Sequence, residues 1–263
     1  MNKLNILITN DDGIHAPGLF YLAEALKGFA EVTIVAPSEE KSGSSLGISF
    51  IHPLEVEPVS FPGGHPAWQV SGTPADCVKI ALMLLMKKAP DFVISGINRG
   101  SNAGRAVLYS GTLGGAIEGA YKGIPGMGFS CAEEKDPQYE KYTSFIPSII
   151  EHFIQDPLPT GTVLNINFPH ENPLGIKMAR QGIGAWLDDF EEIQHHGGQK
   201  KYMLKGDWEK DGWHEESDYF LLQKGYITAV PIHVHELTCQ KTLENRKDSF
   251  EKAFLKHFDR TLP

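Results

Sequence analysis

The sequence predicts an α/β protein: a Rossmann-like, mostly parallel sheet with helices on both faces. Three observations carry this. Short β-branched apolar runs alternate with longer amphipathic stretches over residues 5–169. Polar loops rich in Asp, Asn, Ser and Gly follow several of the runs, where open α/β sheets gather their ligands. A chain of 263 residues that is 41% hydrophobic can bury one large core.

The elements follow in order. Asn5–Thr9 reads as a buried strand, too short and too rich in Ile for a helix, and it stops at Asn10, Asp11, Asp12 and Gly13. Pro17–Phe29 is a helix with Leu19, Leu22, Ala23 and Leu26 on one face. EVTIVAP (31–37) is a strand, followed by a Ser/Gly-rich loop over 38–47. Residues 48–60 and 67–72 read as shorter strands around the turn Pro62-Gly63-Gly64. Thr73-Pro74-Ala75-Asp76 starts a helix that runs to about Lys88, with Thr as N-cap and Pro at the first position. A strand over 90–96 and the loop 97–111 lead to a helix over 112–122. A strand over 124–130, a helix from Tyr139 to Gln155 kinked at Pro147, and a strand over 161–169 complete the alternation.

From Ile176 the pattern loosens. IKMARQGIGAW and KKYMLKGDW read as a hairpin or arm separated by the polar stretch LDDFEEIQHHGGQ. A short helix over 219–223, a strand over 226–232 and a final helix over 243–258 restore order. The division is therefore a Rossmann-like domain over 1–175, with the arm, last strand and last helix over 176–263 packed on it.

Composition excludes several classes. No apolar run approaches a membrane span, and Leu4–Ile8 is too short, with acids on its flank, for a signal peptide. Cys77, Cys131 and Cys239 lie far apart without paired spacing, which argues against disulfides and zinc and fits the reducing cytoplasm. A net charge of −9 disfavours a nucleic-acid duplex as partner.

Three loops should converge on one sheet edge. They carry Asn10, Asp11 and Asp12; Ser42, Gly43, Ser44 and Ser45; and Asn98, Asn102, Ser110, Gly111 and Thr112. Adjacent carboxylates repel unless a cation joins them, and oxygen donors without sulfur suit Mg²⁺ or Mn²⁺. An Asp-Asp-Gly turn that only ends a strand is the other reading, and these residues alone leave both open. Ser110-Gly111-Thr112 opens a helix, whose free N–H groups can hold an anion. Spacing takes the argument as far as metal-assisted chemistry on a small anion such as phosphate.

ILITNDDGIHAPGL, VAPSEEKSGSSLGIS, GTPADCVKIAL, PDFVISGINRGSNAG and LYSGTLGGAIEGA resemble the successive blocks of the SurE family, as DYFLLQKGYITAVPI resembles its block near the C-terminus. The likeness is weakest over 185–215. It implies a 5′-nucleotidase, and a 3′-nucleotidase as well, that releases phosphate from nucleoside monophosphates by attack of a metal-activated water. It implies one divalent cation per subunit on Asp11, Asp12, Ser42 and Asn98, with Asp11 and Asp12 catalytic. Asn10, Gly43, Asn102, Ser110, Gly111 and Thr112 would line the phosphate pocket. It further implies an exchanging arm and a homodimer or homotetramer. A non-catalytic metal and nucleotide sensor is the rival. One departure is Arg105-Ala106, where family members carry acids; the Arg either faces the pocket or points to solvent.

The remaining candidates read more simply. His15 could act as a general acid, but a loop histidine more often only hydrogen-bonds. His195-His196 and His233 with His235 suit packing better than metal binding. Asp76 fits a helix start, Trp186, Trp208 and Trp213 an interface, and the acids at 188–192 a solvated face.

Overall fold

The computed structural model describes residues 3–184, 186–193, 200–208 and 214–258. Its first half is β1 (Leu4–Thr9), α1 (Pro17–Ala25), β2 (Ala30–Pro37), β3 (Val56–Pro58), β4 (Ala67–Val70), α2 (Pro74–Ile80), β5 (Phe92–Arg99) and α3 (Gly111–Tyr121). There follow β6 (Gly126–Cys131), α4 (Phe145–Gln155), β7 (Thr162–Phe168), β8 (Gly175–Met178), β9 (Trp186–Ile193), β10 (Lys201–Trp208), α5 (Asp218–Gln223), β11 (Tyr226–His233) and α6 (Gln240–Phe258).

Among the described residues the main sheet has nine strands in the order β3-β4-β2-β1-β5-β6-β7-β11-β8. The six from β4 to β7 are parallel, which confirms the Rossmann-like reading; β3 and β11 run against their neighbours β4 and β7. From β1 the chain first builds outward to β2 and β4, then returns to β5 and builds the other way. The order therefore reverses between β1 and β5, which opens a crevice at their carboxyl ends.

Alternation along β1 sets the two layers. Ile6 and Ile8 face α1 and α4, against Leu19, Leu22, Ile146 and Ile150. Leu7 points the other way, with Val35, Val93, Cys77 and Val78 under α2. Leu113 and Ala116 carry α3 onto Val163 of the same side. Each such buried aliphatic side chain contributes about 1.5–3 kcal/mol, which fixes the register of β1 and hence where Asp11 emerges. α2 starts as expected: Thr73 and Asp76 form a reciprocal capping box, with Pro74 in the first turn.

Three elements differ from expectation. Residues 48–55 form no strand, because Ser49 gives both its N–H and its hydroxyl to the Asp76 carboxylate, at 3.0 and 2.8 Å. That ties the segment to the start of α2 instead of to a neighbouring strand. The helix expected from Tyr139 is a 3₁₀ turn over Tyr139–Tyr142 followed by α4. Pro147 then lies in the first turn of α4, where its missing N–H costs no hydrogen bond, so no kink is needed. In the arm, residues 175–178 join the main sheet as β8 against β11. The hairpin is β9 with β10, so the stretch expected to connect its strands supplies one of them. Glu192 binds Lys200 at 3.1 Å, which helps the polar strand hold its place in the hairpin. Trp186 pairs with Trp208 in the hairpin, and Glu191 and Glu192 are exposed as expected. Trp213, His195 and His196 lie outside the described residues.

Candidate active site

The site starts where β1 runs out of apolar residues. Asn10, fully buried, closes the turn by donating from Nδ2 to the Gly13 carbonyl at 2.9 Å. Its Oδ1 is buried without a hydrogen-bond partner. Asp11 is 4% exposed; its Oδ1 accepts the Thr112 hydroxyl at 2.6 Å, and its main-chain oxygen accepts the Lys41 N–H at 2.7 Å. Asp12 Oδ2 accepts the Arg99 N–H at 3.1 Å. One carboxylate is thus held by the start of α3 and the other by the end of β5.

Glycine allows this closeness. A Cβ on Gly111 would stand 2.9 Å from Asp11 Oδ2 and 2.7 Å from Ser44 Oγ, so only glycine lets α3 begin against the carboxylate. Gly114 does the same for the 38–47 loop, since a Cβ there would overlap the Ser45 carbonyl. Ser45 clamps the loop by donating its N–H to the Tyr109 carbonyl at 3.0 Å and its hydroxyl to that of Leu108 at 2.8 Å. Ser45 itself sits at φ 51°, a left-handed conformation that those bonds support.

Burial raises the Asp11 pKa to about 6; the Thr112 hydroxyl opposes that, and neighbouring Asp12 adds to it. Asp12 is also raised by burial, against the Arg99 N–H and guanidinium, with Glu40 pushing further up. Two carboxyls that resist ionisation side by side are what an approaching cation would relieve.

The other expected residues divide. Gly111 and Thr112 touch Asp11. Ser110 is the N-cap of α3, accepting the Leu113 N–H at 3.1 Å. Asn102 is buried behind Thr112, donating from Nδ2 to Ser130 Oγ at 2.8 Å and to Thr112 Oγ1 at 3.4 Å. Asn98, at the end of β5, donates to the Gly100 carbonyl at 2.8 Å. Ser42 is exposed and gives its hydroxyl to Glu40 at 2.8 Å, and Gly43 is exposed at φ +75°. The Ser44 hydroxyl, by contrast, is buried without a partner next to Asp11 and Gly111.

Several residues escaped sequence reasoning. Asn167 Oδ1 accepts the Asn102 N–H at 2.8 Å, and Asn165 Nδ2 donates to the Asn102 carbonyl at 2.9 Å. Two asparagines at alternate positions of the apolar strand VLNINF were the available signal. Asp218, fully buried, accepts the N–H groups of Gly104 and Gly182, each at 2.8 Å, and pins the loop after Asn102 to the approach to the hairpin. Arg99 and Glu40 form an ion pair at 3.7 Å beside Asp12.

The weaker candidates stay apart from the centre. His15 is exposed, without a hydrogen bond among the described residues. His235 packs on Tyr121 and shares a hydrogen bond with the Ala120 carbonyl at 3.2 Å. Arg105 is exposed, its side chain unpaired among the described residues, while its N–H binds the Gly184 carbonyl at 3.1 Å. The described residues hold no group of three or more His, Cys, Asp or Glu suited to a metal. No described helix is long and apolar enough to cross a membrane.

A doubly wound α/β protein with paired carboxylates at its switch point and a glycine-led helix start beside them is the class defined here. The family model described as Survival protein SurE matches residues 6–188, and the chain belongs to that family. It is 43% identical over 256 residues to the 5′-nucleotidase SurE of Protochlamydia amoebophila, covering 95% of this chain and 98% of that one. It is 38% identical over 237 residues to the 5′-nucleotidase SurE of Caldanaerobacter subterraneus subsp. tengcongensis, covering 89% and 92%. The crystal structure of the SurE protein from Aquifex aeolicus superposes with a TM-score of 0.80 at 32% identity, covering 94% of this chain and 99% of that one.

Proposed function

We propose that this chain is a divalent-metal-dependent nucleotidase that hydrolyses nucleoside monophosphates to nucleoside and phosphate in the cytoplasm. The observation that carries it is the buried Asp11 carboxyl, set beside Asp12 and held by the second residue of α3. Full-length similarity to proteins named 5′-nucleotidase supports the substrate class.

The donor set fits a hard cation. Asp11 and Asp12 bring oxygen charge, and the buried Asn10 Oδ1 and Ser44 Oγ lack partners. Asp11, Asp12, Ser42 and Asn98 would hold one Mg²⁺ or Mn²⁺, Ser42 on exchanging Glu40 for the ion. When bound, the ion polarises phosphoryl oxygens and lowers the pKa of a water.

The chain supplies position and counter-charge. The N–H groups that open α3 at Gly111 and Thr112, and that of Gly43 across the crevice, face the charge that spreads over the phosphoryl oxygens. Thr112 keeps Asp11 ionised by donating to it, and Asn102 keeps Thr112 in place. Asn165 and Asn167 hold the backbone of Asn102, so the phosphate loop is anchored to the sheet.

Oligomerisation is part of this reading. The side chains of α6 described over 240–254 are all exposed, Leu243, Phe250 and Phe254 among them. Phe190, Met203 and Leu204 of the hairpin are exposed as well. Apolar surface of this kind on two projecting elements suits a homodimer or homotetramer.

Phosphate release from a panel of 5′- and 3′-nucleotides, with and without Mn²⁺ or Mg²⁺, tests the proposal. Metal-dependent turnover is expected; nucleotide binding without turnover would make the protein a sensor.

A further inference from the structure

The Ser44 Oγ is buried beside the Asp11 carboxyl and has no hydrogen-bond partner among the described residues. Its neighbours in the 38–47 loop differ: Ser42 donates to Glu40 and Ser45 to the Leu108 carbonyl, each at 2.8 Å. We propose that Ser44 is a positioning residue of the metal site, its hydroxyl donating to Asp11 Oδ2 when a divalent cation is bound. The inference rests on the metal-dependent reading and goes beyond its set of ligands and phosphate contacts.

Placement is the first argument. A Cβ on Gly111 would stand 2.7 Å from Ser44 Oγ and 2.9 Å from Asp11 Oδ2, so both oxygens border one gap that glycine keeps open. Asp11 Oδ1 is already taken by the Thr112 hydroxyl at 2.6 Å. The backbone holds Ser44 in place: its N–H donates to the Lys41 carbonyl at 3.1 Å, and its carbonyl accepts the Gly47 N–H at 2.9 Å. Lys41 in turn donates its N–H to the main-chain oxygen of Asp11 at 2.7 Å. A loose loop therefore does not explain the unmade bond.

Energetics is the second. A buried hydroxyl without a partner costs stability, and alanine would fit the same space without that cost. The hydroxyl therefore has its use in another state. Binding of a cation supplies one, because a carboxylate oxygen has lone pairs for both an ion and a hydroxyl, and hydrogen bonds to charged acceptors are the stronger ones. With Thr112 on Oδ1 and Ser44 on Oδ2, both oxygens are held and the carboxylate keeps one orientation toward the ion.

Calorimetric titration of Mn²⁺ into metal-free wild type and Ser44→Ala, with melting curves of both, tests this role. Without metal the variant should melt at or above the wild-type temperature, since an unpartnered hydroxyl is gone. Its Kd for Mn²⁺ should nonetheless rise about tenfold, the loss expected when a group that orients a metal ligand is deleted. A Kd within twofold of wild type would overturn the role. So would a metal-free variant that melts several degrees lower, because the hydroxyl would then be bonded without the ion. Ser44→Cys separates positioning from ligation: a preference for Cd²⁺ over Mn²⁺ gained there would make residue 44 a ligand and overturn the positioning role. Wild type that binds no Mn²⁺ would reject the metal-dependent reading and this role with it, whereas failure of the role alone shows only in the variants.

Discussion

The Thr112 hydroxyl donates to Asp11 Oδ1 at 2.6 Å, joining residues 101 positions apart in the chain. It couples the start of α3 to the end of β1, so the helix start and the carboxylate are held as one unit. Hydrogen bonding to the charged form is also the main counterweight to burial at Asp11.

Thr112→Val keeps the volume and deletes that donor. Asp11 should then hold its proton to higher pH, moving the acidic limb of kcat/KM upward from about 6. A hydrogen bond to a charged group is worth about 1.5–3 kcal/mol, so the loss at pH 6 should be roughly ten- to hundredfold. Thr112→Ser should stay near wild type. An unmoved acidic limb in the valine variant would detach Thr112 from Asp11 ionisation.

Asp11→Asn should abolish turnover yet stabilise the metal-free protein at neutral pH. The sign follows from the raised native pKa. Below 3.8 both the native and unfolded forms carry the proton, and Asp11 costs nothing. As pH rises toward 6 the unfolded chain loses its proton first, and native stability falls by about 3 kcal/mol in full. The melting temperature of the variant should exceed that of wild type at pH 7.5, and the gap should close by pH 4. Mn²⁺ should raise the Tm of wild type and not of the variant, and chelation should remove both that gain and activity. A variant that still binds Mn²⁺ as tightly would dismiss Asp11 as a ligand.

Much of this architecture was legible because local signals agreed. Ile6, Leu7 and Ile8 are buried on alternating faces, as a run between two helical layers must be, and Asp11 follows at once. Thr73, Pro74 and Asp76 announced α2 through groups that act within four residues. What escaped depends on distant partners. Ser49 leaves the strand pattern because Asp76 captures it 27 positions away. Asn165 and Asn167 matter through Asn102, more than sixty positions back. The Ser42 hydroxyl, expected to face an ion, donates to Glu40 in the structure, a contact that spacing alone does not show. The polar β9 reads as a loop until β10 is set beside it.

The exposed apolar residues of α6 predict self-association. Sedimentation at micromolar concentration should report a dimer or a larger species. Phe250→Glu with Phe254→Glu should shift it toward the monomer while the far-ultraviolet spectrum of the α/β body persists, since neither residue is buried in a single chain. A wild-type monomer would reject the interface.

Arg99 and Arg105 invite opposite expectations. Arg99 stands beside the carboxylates: its N–H binds Asp12, and its guanidinium is 3.7 Å from Glu40, both side chains about half exposed. An exposed pair at that distance is worth little, so a phosphate dianion can draw the guanidinium away at small cost. Arg105 is tied by its backbone to Gly184, and its exposed side chain has no partner among the described residues. Arg99→Ala should therefore raise KM for nucleoside monophosphates about tenfold at low salt and flatten its dependence on ionic strength. Arg105→Asp should leave both within twofold, with kcat unchanged. Glu40→Gln, which frees the guanidinium and keeps an acceptor for Ser42, should lower KM. Steady-state kinetics of the three variants at low and high salt decides between the arginines: a KM raised by Arg105→Asp alone would move the phosphate-attracting charge to Arg105.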